Sequence, residues 1–191
     1  MSFAIVLTLC ISGFMILITS GWVIGTYNLF HNGKQNIKTQ WGNIKAEYQR
    51  RADLFYNLVE AVKSNAKFEK DTLTTVIQAR AGNFGKTKQQ EKKTMDMLDN
   101  FMSKLSLVVE RYPKLTATEQ YKNLMVEVRI TEDRINVART EYNGVVREYN
   151  MSVITFPNKI LAEMFNFKEE GFYQSESQEW DKSPKINLNL K

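Results

Sequence analysis

Apolar residues fill positions 3–24 without a charge, and from residue 34 onward they thin to a helical spacing within a polar background. A bilayer core takes roughly 20 apolar helical residues to cross, so this run is long enough to span and longer than a secretory signal core. The pattern predicts a retained membrane anchor over residues 3–26. Lys34 is the first charged side chain. Beyond it Ile37, Trp41, Ile44, Tyr48, Phe55, Leu58, Val59, Val62, Ala66, Leu73 and Val76 recur at helical spacing. No proline stands before Pro113, so a helix can run from the anchor towards Arg80, with Asn32 and Gly33 as the expected bend. Gly82 and Gly85 signal a stop, and the charged stretch 86–93 reads as helix surface or a connection.

A second helix is predicted over 89–112, with Met95, Leu98, Met102, Leu105, Val109 and Tyr112 on one side. Pro113 ends it, and Thr116 with Glu119 forms the expected capping box of the next. The third helix carries the strongest repeat. Tyr121, Val128, Ile135, Tyr142, Tyr149 and Phe156 are seven apart, with Leu124, Thr131, Ala138, Val145 and Ser152 three beyond the first five. Such a repeat predicts lengthwise packing against other long helices with left-handed supercoiling, as in a coiled coil. Phe156 and Pro157 break it, and Asn158 is the expected cap of a short helix over 160–165. The polar segment after Gly171 is expected to be an extended tail, packed on the bundle through Phe172 and Trp180 or ordered only with a partner.

The predicted fold is therefore all-α: a single N-terminal transmembrane helix (3–26), a long antiparallel helical bundle (34–167) and an extended C-terminal tail (168–191). Antiparallel packing follows because it buries the apolar stripes of three long helices joined by short connections. After the anchor, the 191-residue chain leaves one domain's worth of sequence. The balance of 26 basic and 21 acidic residues, net +5, is spread along the chain. With no basic face interleaved with aromatics, it is not a nucleic-acid footprint.

Lys34, Lys38, Lys45, Arg50 and Arg51 follow the anchor against the single acid Glu47. The positive-inside bias then expects a single-pass protein of the inner, cytoplasmic membrane, with a short outer N-terminus and the body in the cytoplasm. Trp22 and Tyr27 fall where an interfacial aromatic belt lies. Gly21 and Gly25 have the four-residue spacing that lets membrane helices approach closely, although chance produces the same spacing. The single cysteine, Cys10, lies inside the span, so no intramolecular disulfide forms. Bulky Leu9 before it and the absence of preceding basic residues argue against a lipoprotein signal.

Candidate chemistry is sparse. His31 is the one histidine, no paired-cysteine motif exists, and the only close glycine pair lacks a preceding strand. Metal sites, phosphate loops and nucleophile pairs are not expected, and no cofactor is called for. Arg51 falls on or beside the apolar stripe of the first soluble helix, while Glu132, Asp133, Arg134 and Arg139 lie along the third. These five are candidates for buried or half-buried ion pairs that fix helix register, with ligand binding as the competing role. Tyr142 and Tyr149 read as core rings whose hydroxyls reach the edge rather than as a recognition surface.

Gln40, Trp41, Gly42, Asn43 and Ile44, then Arg50 to Leu54 and Asn57 to Lys63, resemble the signature helix of bacterial LemA proteins. So do residues 112–115, 131–139, 142–143, 149–150 and 156–158, and the likeness extends over nearly the whole chain, anchor included. Tyr56 stands where a proline is usual, Asp133 replaces an asparagine and Asn166 a glycine. Loss of that proline predicts a straighter first helix. The resemblance implies a long antiparallel bundle on an N-terminal anchor, not an enzyme, with relatives associated with magnetosome membranes. The leading expectation is a self-associating structural scaffold that contacts membrane lipid and forms a homo-oligomer. An adaptor recruiting an unidentified protein partner through a bundle face or the tail is the alternative.

Overall fold

The computed structural model describes residues 3–62, 70–109 and 118–173. They form five helices: α1 (Phe3–Val62), α2 (Lys70–Arg80), α3 (Lys88–Val109), α4 (Glu119–Ile154) and α5 (Asn158–Met164). No strand occurs among the described residues. Ala66, Tyr112, Pro113, Thr116 and Trp180 lie outside them.

The first helix begins within the apolar run and continues past it without interruption. It holds 60 residues, about 90 Å at 1.5 Å per residue. The expected bend at Asn32 and Gly33 is absent, because both sit within this unbroken helix. A Cβ built on Gly33 would meet Tyr149 Cδ2 at 2.7 Å, so the glycine serves a close approach to a ring rather than a turn. The helix also runs on through Tyr56, in keeping with the missing proline. The ring of Tyr56 instead receives the Arg80 guanidinium at 4.4 Å.

Contacts divide the chain into two compact units, and α1 and α4 contribute to both. The first unit comprises residues 1–43 and 138–172. Its core holds Phe30, Ile37 and Trp41 of α1, Tyr142, Val146, Tyr149 and Val153 of α4, and Leu161 and Ala162 of α5. Trp41 meets Tyr142 edge-on at 5.5 Å, Gly33 abuts Tyr149, and Thr26 Oγ1 donates to Asn158 Oδ1 at 3.4 Å. Residue numbers rise on α4 as they fall on α1, so here the two helices are antiparallel. The second unit comprises residues 44–137 and 173–191. Its core draws Ile44, Tyr48, Phe55 and Leu58 from α1, Val76 and Ala79 from α2, Met95, Leu98 and Phe101 from α3, and Val128 and Ile135 from α4.

Along α4 Val128, Thr131, Ile135, Ala138, Tyr142 and Tyr149 are buried in the seven-residue register, and towards its end Val146 and Val153 are buried beside it in place of Val145 and Ser152. A straight α-helix falls about 20° behind a heptad repeat at each heptad. Stepping on by one residue restores the face. Phe156, the last member of the repeat, lies beyond the end of α4 and is exposed.

Helix ends follow local chemistry, in places other than those expected. Thr118, two residues after Thr116, caps α4 by accepting from Tyr121 N at 3.3 Å. The charged stretch after Gly85 contains a capping box. Thr87 Oγ1 accepts from Gln90 N at 3.3 Å, and Gln90 Oε1 accepts from the Lys86 and Thr87 amides. Asn158 makes no cap hydrogen bond; Pro157 holds the cap position of α5, and the Asn158 side chain serves Thr26 instead. Gly82 (φ +76°) and Asn166 (φ +57°) end α2 and α5 in the left-handed region. In both, the amide of that residue and the next return to helix carbonyls, Ala79 and Gln78 for α2, Glu163 and Ala162 for α5.

Candidate functional site

The most polar buried cluster lies in the second unit and begins on one stripe of α1. Tyr48, Arg51 and Phe55 are spaced three and four apart and point the same way. Arg51 is only 3% exposed. Its Nη1 pairs with Asp99 of α3 and its Nη2 with Glu132 of α4, a bridge across three helices. The guanidinium also lies 5.6 Å from the Tyr48 ring centre and 5.2 Å from that of Phe55. Tyr48 Oη donates to the Asp99 carboxylate, 3.0 Å from each oxygen, and lies 3.3 Å from the Tyr173 hydroxyl. Phe55 backs the cluster through Phe101 at 5.0 Å.

Chemically this is one cation held between two carboxylates, with aromatic faces excluding water. Arginine is suited to it, since its planar fork addresses two acceptors at once and stays charged when buried. Among the described residues no three His, Cys, Asp or Glu side chains converge to hold a metal ion.

Of the sequence candidates, the structure joins Arg51 to Glu132. Asp133 and Arg134 are exposed on α4 and stand apart from the cluster, and Arg139 is half-buried in the first unit. The rest of the cluster, Asp99, Tyr48 and Tyr173, was not among the candidates. By spacing Tyr48 reads as an apolar stripe position, and Asp99 lies one residue beyond Leu98 in a helix rich in surface charge. Nothing in its local pattern marks it as a partner for a residue 48 positions earlier.

In the first unit, polar groups of α4 strap down the extended segment that follows α5. Tyr142 Oη donates to the Gly171 carbonyl at 3.1 Å and Tyr149 Oη to that of Lys168 at 3.0 Å. Asn150 bonds both backbone groups of Glu170, at 2.9 Å and 2.8 Å. The two tyrosine hydroxyls therefore serve the chain's own backbone. Burial, aided by the nearby Glu170 carboxylate, pushes the Tyr149 hydroxyl up to about 12. Tyr173 is buried, whereas the expected contact Phe172 is exposed.

At the end of the same unit nearest the apolar run, Tyr27 packs on Phe165 (5.1 Å) and Phe30 on Phe167 (4.9 Å). Lys34 Nζ lies over the Phe167 ring at 5.1 Å. His31 stacks between Tyr27 and Phe167, at 4.5 Å and 5.2 Å, so its ring is part of an aromatic collar. Gly21 and Gly25 are different: a Cβ at either would meet nothing within 4 Å.

The pattern defining the LemA family matches residues 40–188. The chain belongs to the LemA family. The match includes Tyr48, Arg51, Asp99, Glu132 and Tyr173, and it leaves the apolar span outside, so the expected likeness of the anchor is not part of it. Among curated proteins, the chain is 26% identical to magnetosome protein MamQ 2 of Paramagnetospirillum magneticum, over 78% of this chain and 64% of that one. Magnetosome protein MamQ of Magnetospirillum gryphiswaldense is 24% identical over 77% of this chain and 64% of its own length. Protein LemA of Metamycoplasma hominis is 22% identical over 80% and 70%. The chain thus spans about two-thirds of the length of the magnetosome relatives it matches. To the LemA match it adds one helix long and apolar enough to cross a membrane, whose apolar window is not buried by the rest of the chain.

Proposed function

We propose that this LemA-family protein is a non-enzymatic, self-associating scaffold, anchored by α1 in the bacterial inner membrane with its helical body in the cytoplasm. The observation that carries this reading is the open face of the span. Gly21 and Gly25 lie on the part of α1 up to residue 25, where most of the large apolar side chains from Phe3 to Ile24 are exposed, and among the described residues nothing stands within 4 Å of a Cβ at either glycine. Small residues four apart let two membrane helices approach closely. Arginine and lysine residues after the span support the cytoplasmic placement of the body. A structural role for the body agrees with the Arg51 cluster, whose charges are spent on partners within the chain.

The test is the mass of the full-length protein in lipid nanodiscs, beside a Gly21→Leu, Gly25→Leu double variant. A discrete assembly larger than one chain, falling to a monomer in the variant, is the expected result. A monomeric unsubstituted chain would sink the scaffold and turn attention to the adaptor reading.

A further inference from the structure

The short α5 and the turn before it present an apolar stripe that the fold leaves uncovered. Phe156, Ile160 and Met164 are 78%, 56% and 62% exposed; Ile160 and Met164 stand four residues apart on one side of α5, and Phe156 lies in the turn before it. The opposite side is the buried one, with Leu161 and Ala162 in the core and Phe165 against Tyr27. Scattered exposed apolar residues are ordinary, but a contiguous stripe on one element is not.

Position supplies the occupant. In this unit α1 and α4 are antiparallel in a register set by Trp41 with Tyr142 and Gly33 with Tyr149, and Thr26 meets Asn158 at the start of α5. Phe156, two residues before Asn158, therefore stands near the Thr26 and Tyr27 level of α1. The apolar span ends at Ile24. Thr26 and Tyr27 are then about 3 to 5 Å further along the helix axis, within the headgroup layer. Trp22 and Tyr27 are the aromatic residues expected at that depth. Lys34, Lys159 and Lys168 are exposed nearby, although Lys159 lies 3.9 Å from Glu163, and Glu169 is also exposed.

We propose that residues 156–164 form a second membrane contact, with Phe156, Ile160 and Met164 entering the headgroup layer beside the transmembrane helix. The surface it fits is lipid. Apolar side chains facing the acyl boundary, with lysines at headgroup level, are how a helix lies in the interface rather than across it. This inference rests on the membrane-spanning reading of α1.

The experiment measures nitroxide immersion on the full-length chain in vesicles of phosphatidylethanolamine and phosphatidylglycerol, in a Cys10→Ser background. Labels are placed in three separate variants: Ile160→Cys on the stripe, Phe14→Cys in the span and Glu141→Cys on α4 well away from the membrane. At Ile160 and Phe14 oxygen should collide more often than a water-soluble nickel chelate, with the reverse at Glu141. A water-exposed label at Ile160 beside an immersed one at Phe14 overturns the inference alone. Exposure at Phe14 overturns the span itself. An Ile160 label shielded from both quenchers and broadened by a neighbouring label would show a second copy on this face and also overturn the lipid assignment.

Discussion

Arg51 sets the terms at the level of single residues. Two carboxylates, Asp99 and Glu132, meet one buried guanidinium, so removing the cation leaves both acids in a partly desolvated site. Arg51→Leu is expected to lower unfolding free energy by on the order of 3 kcal/mol, read by denaturant titration. An unchanged midpoint would mean that water already satisfies the acids. Glycines separate by what their missing Cβ would touch. Gly33→Ala would drive a methyl against the Tyr149 ring and should cost about 1–3 kcal/mol despite better helix propensity. Gly144→Ala meets open space within α4 and should gain up to about 1 kcal/mol. The Tyr149 hydroxyl adds a pH signature. Folding raises its pKa from 10.0 to about 12, so the proton is held more tightly in the native chain. The stability it contributes is complete below about pH 10 and is lost as pH rises through about 12. Tyr149→Phe should flatten the fall in melting temperature over that range, whereas an equal fall would place its origin elsewhere.

Among the elements, the helix ends carry the next set of consequences. Asn166 and Gly82 occupy the left-handed region, where a side chain with a Cβ other than asparagine or aspartate is strained by roughly 1–2 kcal/mol. Gly82→Ala should therefore destabilise α2 by about that amount, measured by thermal melting. Asn166→Gly should be neutral or stabilising, because glycine adopts φ +57° freely. A loss on Asn166→Gly would point to a contact of the asparagine side chain. The same backbone demand explains why asparagine is acceptable at a position where the resemblance led us to expect glycine. In α4, Val146 and Val153 face the core beside the repeat position Tyr149, as expected where a straight helix drifts about 20° per heptad against a seven-residue repeat.

For the molecule as a whole, the decisive property is the charge-free span joined without a break to the helical body. A protein held only by lysines at a lipid surface leaves the membrane in high salt or alkaline carbonate, since those conditions screen or remove the charges. The full-length chain should stay in the membrane pellet under both and be extracted only by detergent. Release by carbonate would show that it rests on the surface rather than crossing it.

Residue order alone determined the span, the helicity and most of the buried positions. Those signals are local: charge-free length, helical periodicity and the absence of proline are legible within a few turns. Ile37, Trp41, Ile44, Tyr48, Phe55, Val128, Ile135, Tyr142 and Tyr149 were all placed on apolar stripes by spacing, and all are buried. Pairing between distant segments was not legible, because an aspartate looks the same whether it faces solvent or an arginine on another helix. Only the tertiary structure decided that Asp99 and Tyr48 complete the Arg51 cluster, that Gly33 admits a ring rather than a bend, and that Asn150 holds the backbone of Glu170. It also put Tyr173 in the core in place of Phe172. Each depends on the relative register of segments far apart in the chain, which side-chain packing sets and no local pattern encodes.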